Sequence, residues 1–165
     1  MAHFSEIIGA VYRRNGPALS GLTPDESNAT DEDGRSLLMH AVLAMAPDPS
    51  IVKLLIDRGA DVNAVDRLHK STALHFAASL GRLDLATALL DAGAAVDPTD
   101  SFGNTPLWEA AMRPKASAAI ISELLRRGAD PTKKNCQGVS PFDIAKEGEH
   151  RELVALFEGR KNEPV

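Results

Sequence analysis

The 165-residue sequence predicts an all-α solenoid of stacked helix-turn-helix units with hairpin loops. Three observations predict it. The stretch Thr72-Ala73-Leu74-His75-Phe76-Ala77-Ala78, followed by Gly81 and by Leu89-Leu90-Asp91-Ala92-Gly93, has counterparts at Ser36-Leu37-Leu38-Met39, Thr105-Pro106-Leu107-Trp108 and Ser140-Pro141-Phe142-Asp143. Ser36, Thr72, Thr105 and Ser140 lie 36, 33 and 35 residues apart, and a unit of that size buries its apolar face only by stacking on neighbours. Apolar residues make up 44% of the chain and charged residues 25%, ordinary for a chain that buries a core. Aromatics are only 4%, so burial rests on Leu, Ile, Val and Ala, which suits close-packed helices.

Within residues 4–14, Phe4, Ile7, Ile8, Val11 and Tyr12 fall on one helical face. Asn15-Gly16-Pro17 stops that helix. Glu6 to Gly16 resembles the second half of the later units, such as Ser50 to Gly59, and reads as a half-unit covering the end of the stack. From Pro17 to Asp33 the composition predicts a long loop with one short turn of helix. Asp25, Glu26, Asp31, Glu32 and Asp33 make this loop acidic, either a solvated linker or an acidic lip beside a binding face. Residues 1–30 are thus a cap helix and acidic loop within one domain spanning 1–165.

Four units follow, at 31–65, 66–99, 100–134 and 135–160. In the first, Ser36 caps a helix expected over Leu37 to Met45, Pro47 and Pro49 interrupt the chain, and Ile51, Val52, Leu55 and Ile56 form the second helix's stripe. Gly59 ends that helix where a positive φ is needed. The second unit packs Leu74, Ala77 and Ala78 in its first helix and Leu85, Ala86, Leu89 and Leu90 in its second; small alanines permit close helix approach. The third has Pro106 at the first helical position, a longer connection through Arg113-Pro114-Lys115, and Ile120, Ile121, Leu124 and Leu125 in its second helix. The fourth has Leu153, Val154 and Phe157, with Glu158 where its predecessors carry Ile56, Leu90 and Leu125, a charge that suits the outer face of a terminal unit. The tail 161–165 is expected to be disordered.

These motifs, with Gly34-Arg35-Ser36, Gly103-Asn104-Thr105, Gly138-Val139-Ser140, Arg58-Gly59-Ala60-Asp61-Val62-Asn63-Ala64 and Arg127-Gly128-Ala129-Asp130-Pro131, resemble the ankyrin-repeat family over residues 31–158. The resemblance implies an ankyrin-repeat solenoid that binds other proteins and carries no catalytic site. Departures are informative. Met39, Trp108 and Asp143 replace the histidine seen at His75, so its hydrogen bonding between units is expected once. Lys70 replaces the turn glycine in a hairpin one residue longer than the others.

By the same resemblance, partner contacts fall on hairpin tips and exposed first-helix positions: Glu32, Asp33, Arg35, His40, Leu43, Leu68, His69, Phe76, Leu80, Phe102, Asn104, Glu109, Met112 and Arg113. Leu68, Phe76, Leu80, Phe102 and Met112 are expected to form a central apolar cluster, the pattern of protein interfaces.

Net charge is −5, which gives no general attraction to phosphate or anionic lipid. The single cysteine, Cys136, excludes an internal disulfide and a multi-cysteine zinc site and points to a reducing, cytoplasmic setting. Neither a signal peptide nor a membrane span is expected, and Asn28-Ala29-Thr30 reads as a chance glycosylation match. No nucleophile elbow, phosphate loop, zinc-protease helix or carboxylate pair is present. The histidines lie in different units without supporting ligands, and His75 reads as structural. Arg113, Lys115, Arg126, Arg127, Lys133 and Lys134 form a basic stretch that serves a nucleic-acid contact or stays a solvated face. The sequence therefore predicts a monomeric, cofactor-free protein-binding module. Its partner is a protein with a basic or apolar patch, rather than a membrane, nucleic acid or small molecule. An inhibitor or immunity-type role is favoured over an adaptor or scaffold role.

Overall fold

Capping residues set the helix boundaries. The computed structural model describes residues 2–113 and 118–159; the expected tail and part of the Arg113-Pro114-Lys115 connection lie outside the described residues. Helix α1 (Ala2–Tyr12) is followed by two short helices, α2 (Gly16–Leu19) and α3 (Pro24–Ser27). Four antiparallel pairs come next: α4 (Leu37–Leu43) with α5 (Pro49–Asp57), α6 (Ala73–Ser79) with α7 (Leu83–Asp91), α8 (Pro106–Ala111) with α9 (Ala118–Arg126), and α10 (Pro141–Glu147) with α11 (Arg151–Gly159). No strand occurs among the described residues, and the hairpins contribute one isolated bridge, Thr30 to Ser36.

Each first helix opens on the hydroxyl residue that marks the repeat. The side chains of Ser36, Thr72, Thr105 and Ser140 accept the N–H three residues on, at 3.3, 3.4, 3.2 and 3.1 Å. An orphan donor of the first turn is thereby satisfied four times over.

The helices form two rows. Helices α1, α4, α6, α8 and α10 pack successively in one, and α2, α5, α7 and α9 in the other. Between them runs one apolar core, from Ile7 and Val11 through Leu38, Leu74 and Leu107 to Leu153 and Phe157. Ala41, Ala77, Ala110 and Ala145 occupy the same position of successive first helices and are all buried. A larger side chain in that column would push neighbouring units apart, and overpacking of a closed core costs about 1–3 kcal/mol.

The N-terminal segment differs from expectation in two respects. Helix α1 packs on α4 and α2 on α5, so α1 holds the place of a first helix, not the second-helix place its sequence suggested. The segment expected as loop with one helical turn has two, because Asn15 and Thr23 each cap a proline-started turn. The first-unit helix also ends at Leu43, short of Met45, since Ala44 turns to extended backbone with ψ of 144°.

Two ladders of hydrogen bonds fix the step between units. At the hairpin tips, Arg67 N–H donates to the Asp33 carbonyl, Ser101 N–H to that of His69, and Cys136 N–H to that of Phe102, at 2.8, 2.7 and 2.9 Å. On the other edge, Asn28, Asn63 and Asp97 side chains accept from the backbone N–H of Asp61, Ala95 and Asp130 at 2.7, 2.8 and 2.8 Å. Asn28 also donates to the Gly59 carbonyl. Its amide is therefore engaged between units, which explains an asparagine at a position that otherwise only resembles a glycosylation acceptor.

Tight tip-to-tip approach makes two residues decisive. A Cβ on Gly103 would sit 2.8 Å from Cys136 N and 3.1 Å from Asn135 Cα, and Gly103 has φ of 78°. Lys70 reaches the same left-handed region with φ of 58°, at the cost a side chain carries there. Lys70→Gly is expected to raise the unfolding free energy by roughly 1 kcal/mol, and Gly103→Ala to lower it by about 2 kcal/mol. Equilibrium urea denaturation of both variants beside the wild type measures this; a destabilised Lys70→Gly would refute the strain assigned to it.

Candidate functional site

The longer second hairpin and the third hairpin stand beside each other above α6 and α8. Between them lies a groove of about 290 Å³ lined by His69, Ser71, His75, Phe76, Ser79, Asp100, Phe102, Asn104 and Glu109. Each hairpin is held rigid by an acidic or amide side chain at its base. Asp100 Oδ1 accepts from the N–H groups of Phe102 and Asn104, both at 2.8 Å. Asp66 Oδ1 accepts from His69 N–H at 2.7 Å. The tips are thus fixed platforms for the side chains they display.

Four of the five residues expected to form the apolar cluster are exposed: Leu68 by 54%, Leu80 by 39%, Phe102 by 55% and Met112 by 52%. Phe76 is half-buried and packs partly on the core while its ring lines the groove. His69 is exposed and its ring lies 5.9 Å from that of Phe102, tilted by 33°. Glu32 and Arg113 are exposed, Glu109 and Leu43 half-buried, and Asp33 and Arg35 half-buried and paired with each other at 3.4 Å.

Two expected contact residues are not on the surface. His40 is only 8% exposed: Nε2 meets Asp31 Oδ2 at 2.9 Å and Nδ1 meets the Tyr12 hydroxyl at 2.9 Å. It fastens α1 to the first unit, because the cap helix brings the Tyr12 hydroxyl onto one ring nitrogen while Asp31 of the first hairpin holds the other. Asn104 is 7% exposed, with Asn135 Nδ2 donating to its Oδ1 at 2.9 Å. This side chain links two hairpins instead of facing outward. Conversely, fully exposed Met45 was not foreseen; its place just before Ala46-Pro47, beyond the end of α4, is the signal that was available. Arg82 also went unrecognised: its guanidinium donates to the carbonyls of Val42 and Ala44, closing the C-terminal end of α4.

His75 belongs to the scaffold. Its Nε2 donates to the Asn104 carbonyl at 3.1 Å, and Nδ1 accepts from Thr72 N–H at 3.1 Å. A carbonyl only accepts and an amide only donates, so this geometry requires the neutral ring. Burial accordingly pushes its pKa below the ordinary value, against opposing contributions from the Asn104 hydrogen bond and from Asp100 and Asp66. Glu109 is perturbed the other way. Burial raises its carboxyl above the ordinary range and Asp100 adds to this, while Arg113 opposes it.

The basic stretch is largely consumed internally. Arg126 and Arg127 both bind Glu123, at 2.6 and 2.9 Å, Arg127 also binds Asp91, and Lys133 donates to the Asp97 carbonyl at 2.7 Å. Lys115 lies outside the described residues. Among those described, no cluster of three or more His, Cys, Asp or Glu is placed to hold a metal, and no helix is long and apolar enough to cross a membrane.

A family model described as ankyrin repeats matches the chain in three overlapping stretches, residues 7–100, 38–135 and 74–160. Ankyrin repeat domain-containing protein 63 from Mus musculus is 34% identical over 134 residues, covering 78% of this chain and 34% of that protein. Palmitoyltransferase ZDHHC13 from Mus musculus is 32% identical over 103 residues, covering 62% of this chain and 16% of the relative. The nuclear factor NF-kappa-B p105 subunit from Gallus gallus is 38% identical over 113 residues, 68% of this chain and 11% of the relative. The chain thus spans about a third or less of the length of these curated relatives.

The neutral His75 has a measurable signature. Unfolded, the ring titrates near 6.5; folded, it titrates lower, so the unfolded state binds more protons as pH falls below about 6.5. Its contribution is complete above that value and is lost on acidification, by at most about 1.4 kcal/mol per pH unit. His75→Gln is expected to cost roughly 1–3 kcal/mol at neutral pH and to flatten the fall in stability between neutral pH and mild acid. Chemical denaturation across that range checks both, and an unchanged pH slope would refute the assignment.

Proposed function

The chain belongs to the ankyrin-repeat family, and from that premise we propose that it is a non-catalytic protein-binding module whose partner lies across the groove of the two central units. The observation that carries this reading is a groove between rigid hairpins lined in part by exposed Phe102, with exposed Leu68, Leu80 and Met112 close by in the chain, next to His69, next to Ser79 and three residues after Glu109. Apolar surface concentrated in one place and rimmed by polar groups is what a partner covers. Side chains displayed from fixed backbone lose little entropy on binding.

At the finer level, the proposal is a monomer that occludes its partner in the manner of an inhibitor or immunity-type protein. Leu68, Leu80, Phe102 and Met112 fall together on the two central units, while exposed Tyr12, Met45 and Val65 are spread over the cap and first unit; one such region suits occlusion, whereas an adaptor needs a second. The free, exposed thiol of Cys136 supports a reducing, cytoplasmic setting. Activity of a captured partner, measured with and without this protein, separates the roles: a bound partner that stays fully active is being bridged, not blocked.

Phe76 is a poor probe because it packs on the core. Leu68→Asp combined with Phe102→Asp is expected to weaken partner capture at least about tenfold, since buried interface anchors contribute upwards of ~1–2 kcal/mol each, while leaving the thermal midpoint within a few degrees of wild type. Quantitative affinity capture with a melting curve tests this. Recovery of the same partners in the same amounts would place the interface elsewhere.

A further inference from the structure

We propose that the groove between the second and third hairpins is a socket for one arginine side chain of the partner, its guanidinium lying against the Phe102 ring and meeting the Glu109 carboxylate. This rests on the protein-binding reading of the same surface and adds the chemistry of what enters it.

At about 290 Å³ the groove has room for an extended side chain but not for a folded element. Its walls are aromatic: Phe102 is more than half exposed with His69 tilted against it, and Phe76 is also in the lining. Its charge is negative, from Asp100 and Glu109.

The two carboxylates are not equivalent. Asp100 is committed to its own hairpin through Phe102 N–H, Asn104 N–H and the Asn104 side-chain amide. The half-buried Glu109 carboxylate has no hydrogen bond or ion pair among the described residues. Its charged neighbours are Asp100, which repels it, and Arg113, which offsets this from a distance without closing a salt bridge. His69 and His75 also line the groove, and His75 is held neutral. Burial and a neighbouring carboxylate both disfavour the charged form of Glu109, and a cation entering the groove would relieve that. That carboxylate and the aromatic walls together select the cation. A guanidinium is planar, stacks on an aromatic face and meets a carboxylate through a fork of donors, whereas an ammonium is a compact, strongly hydrated point charge. Exposed Leu68 and Leu80, each next in the chain to a lining residue, and exposed Met112, three residues after Glu109, favour apolar residues beside the arginine.

The test uses the full chain, isotopically labelled for amide NMR, and two probes at millimolar concentration: Ac-Leu-Arg-Leu-NH2 and the same peptide with citrulline, which keeps the shape and removes the charge. The arginine peptide is expected to shift the amides of Ser71, Phe76, Phe102 and Glu109 and to bind at least about tenfold more tightly than the citrulline peptide, the range of a charge-assisted hydrogen bond. Glu109→Gln should reduce the arginine peptide to the citrulline level. Because burial already disfavours the charged form of Glu109, this variant should melt at or slightly above the wild-type midpoint. Equal response to both peptides, absence of groove shifts, or retention of the preference in Glu109→Gln each overturns the socket, as do shifts centred on the acidic Asp31 to Asp33 turn. If the socket fails while Leu68→Asp with Phe102→Asp still abolishes capture, the protein-binding surface stands without it; if capture survives that double change, both fall.

Discussion

The structure depends on one spacing constraint: successive hairpin tips must approach closely enough for a backbone N–H of one to reach a backbone carbonyl of the previous one. Each full step makes that bond once, at 2.7–2.9 Å. The alanine column at Ala41, Ala77, Ala110 and Ala145 lets the first helices approach closely, and the Asn28, Asn63 and Asp97 side chains close the opposite edge. Core, tips and outer turns therefore agree on a single step. Such agreement between local and neighbour interactions is what makes a linear stack cooperative.

The same constraint divides scaffold from surface. Within a hairpin, the side chains at its base and the backbone groups that carry the ladder are committed: Asp100 and Asn135 hold their own turns, and Gly103 tolerates no Cβ against Cys136. Side chains at the tip point away from all of this and are free to vary without disturbing the step. Leu68, His69 and Phe102 sit there, so the groove they border can change its chemistry at little cost to the fold. Glu109 lies on α8, where burial disfavours the charged form of its carboxyl.

Legibility in the sequence follows the same division. The helix pairs, their caps and the core were readable because a hydroxyl followed by leucine and alanine recurs in phase and each copy reinforces the others. Exposure at Leu68, Leu80, Phe102 and Met112 was readable because hairpin tips and first-helix ends recur in each unit. His40 and Asn104 were misplaced because what covers them is particular to one copy of the repeat. Tyr12 belongs to the cap helix, and Asn135 is a base residue that only this pair of hairpins joins by side chains. The role of Asn28 was hidden for a similar reason: its segment shows no motif, yet its position relative to Asp61 repeats that of Asn63 to Ala95.

The second hairpin shows how an irregular copy can keep the step and gain a surface. In the first and third hairpins the ladder acceptors, Asp33 and Phe102, are the third residues of their turns; in the second the acceptor is His69, the fourth. The closing bond moves accordingly, from Asp31 N–H to Arg35 and Asp100 N–H to Asn104 in the regular turns to Asp66 N–H to Ser71 here. Between the donor Arg67 and the acceptor His69 the extra residue is Leu68, which has nowhere to go but outward. Lys70 then takes the left-handed conformation that glycine provides in the other turns. An added residue absorbed as an exposed leucine, together with backbone strain kept next to it, is costly for a pure scaffold. That both costs fall at the edge of the aromatic, acidic groove agrees with the binding proposed there.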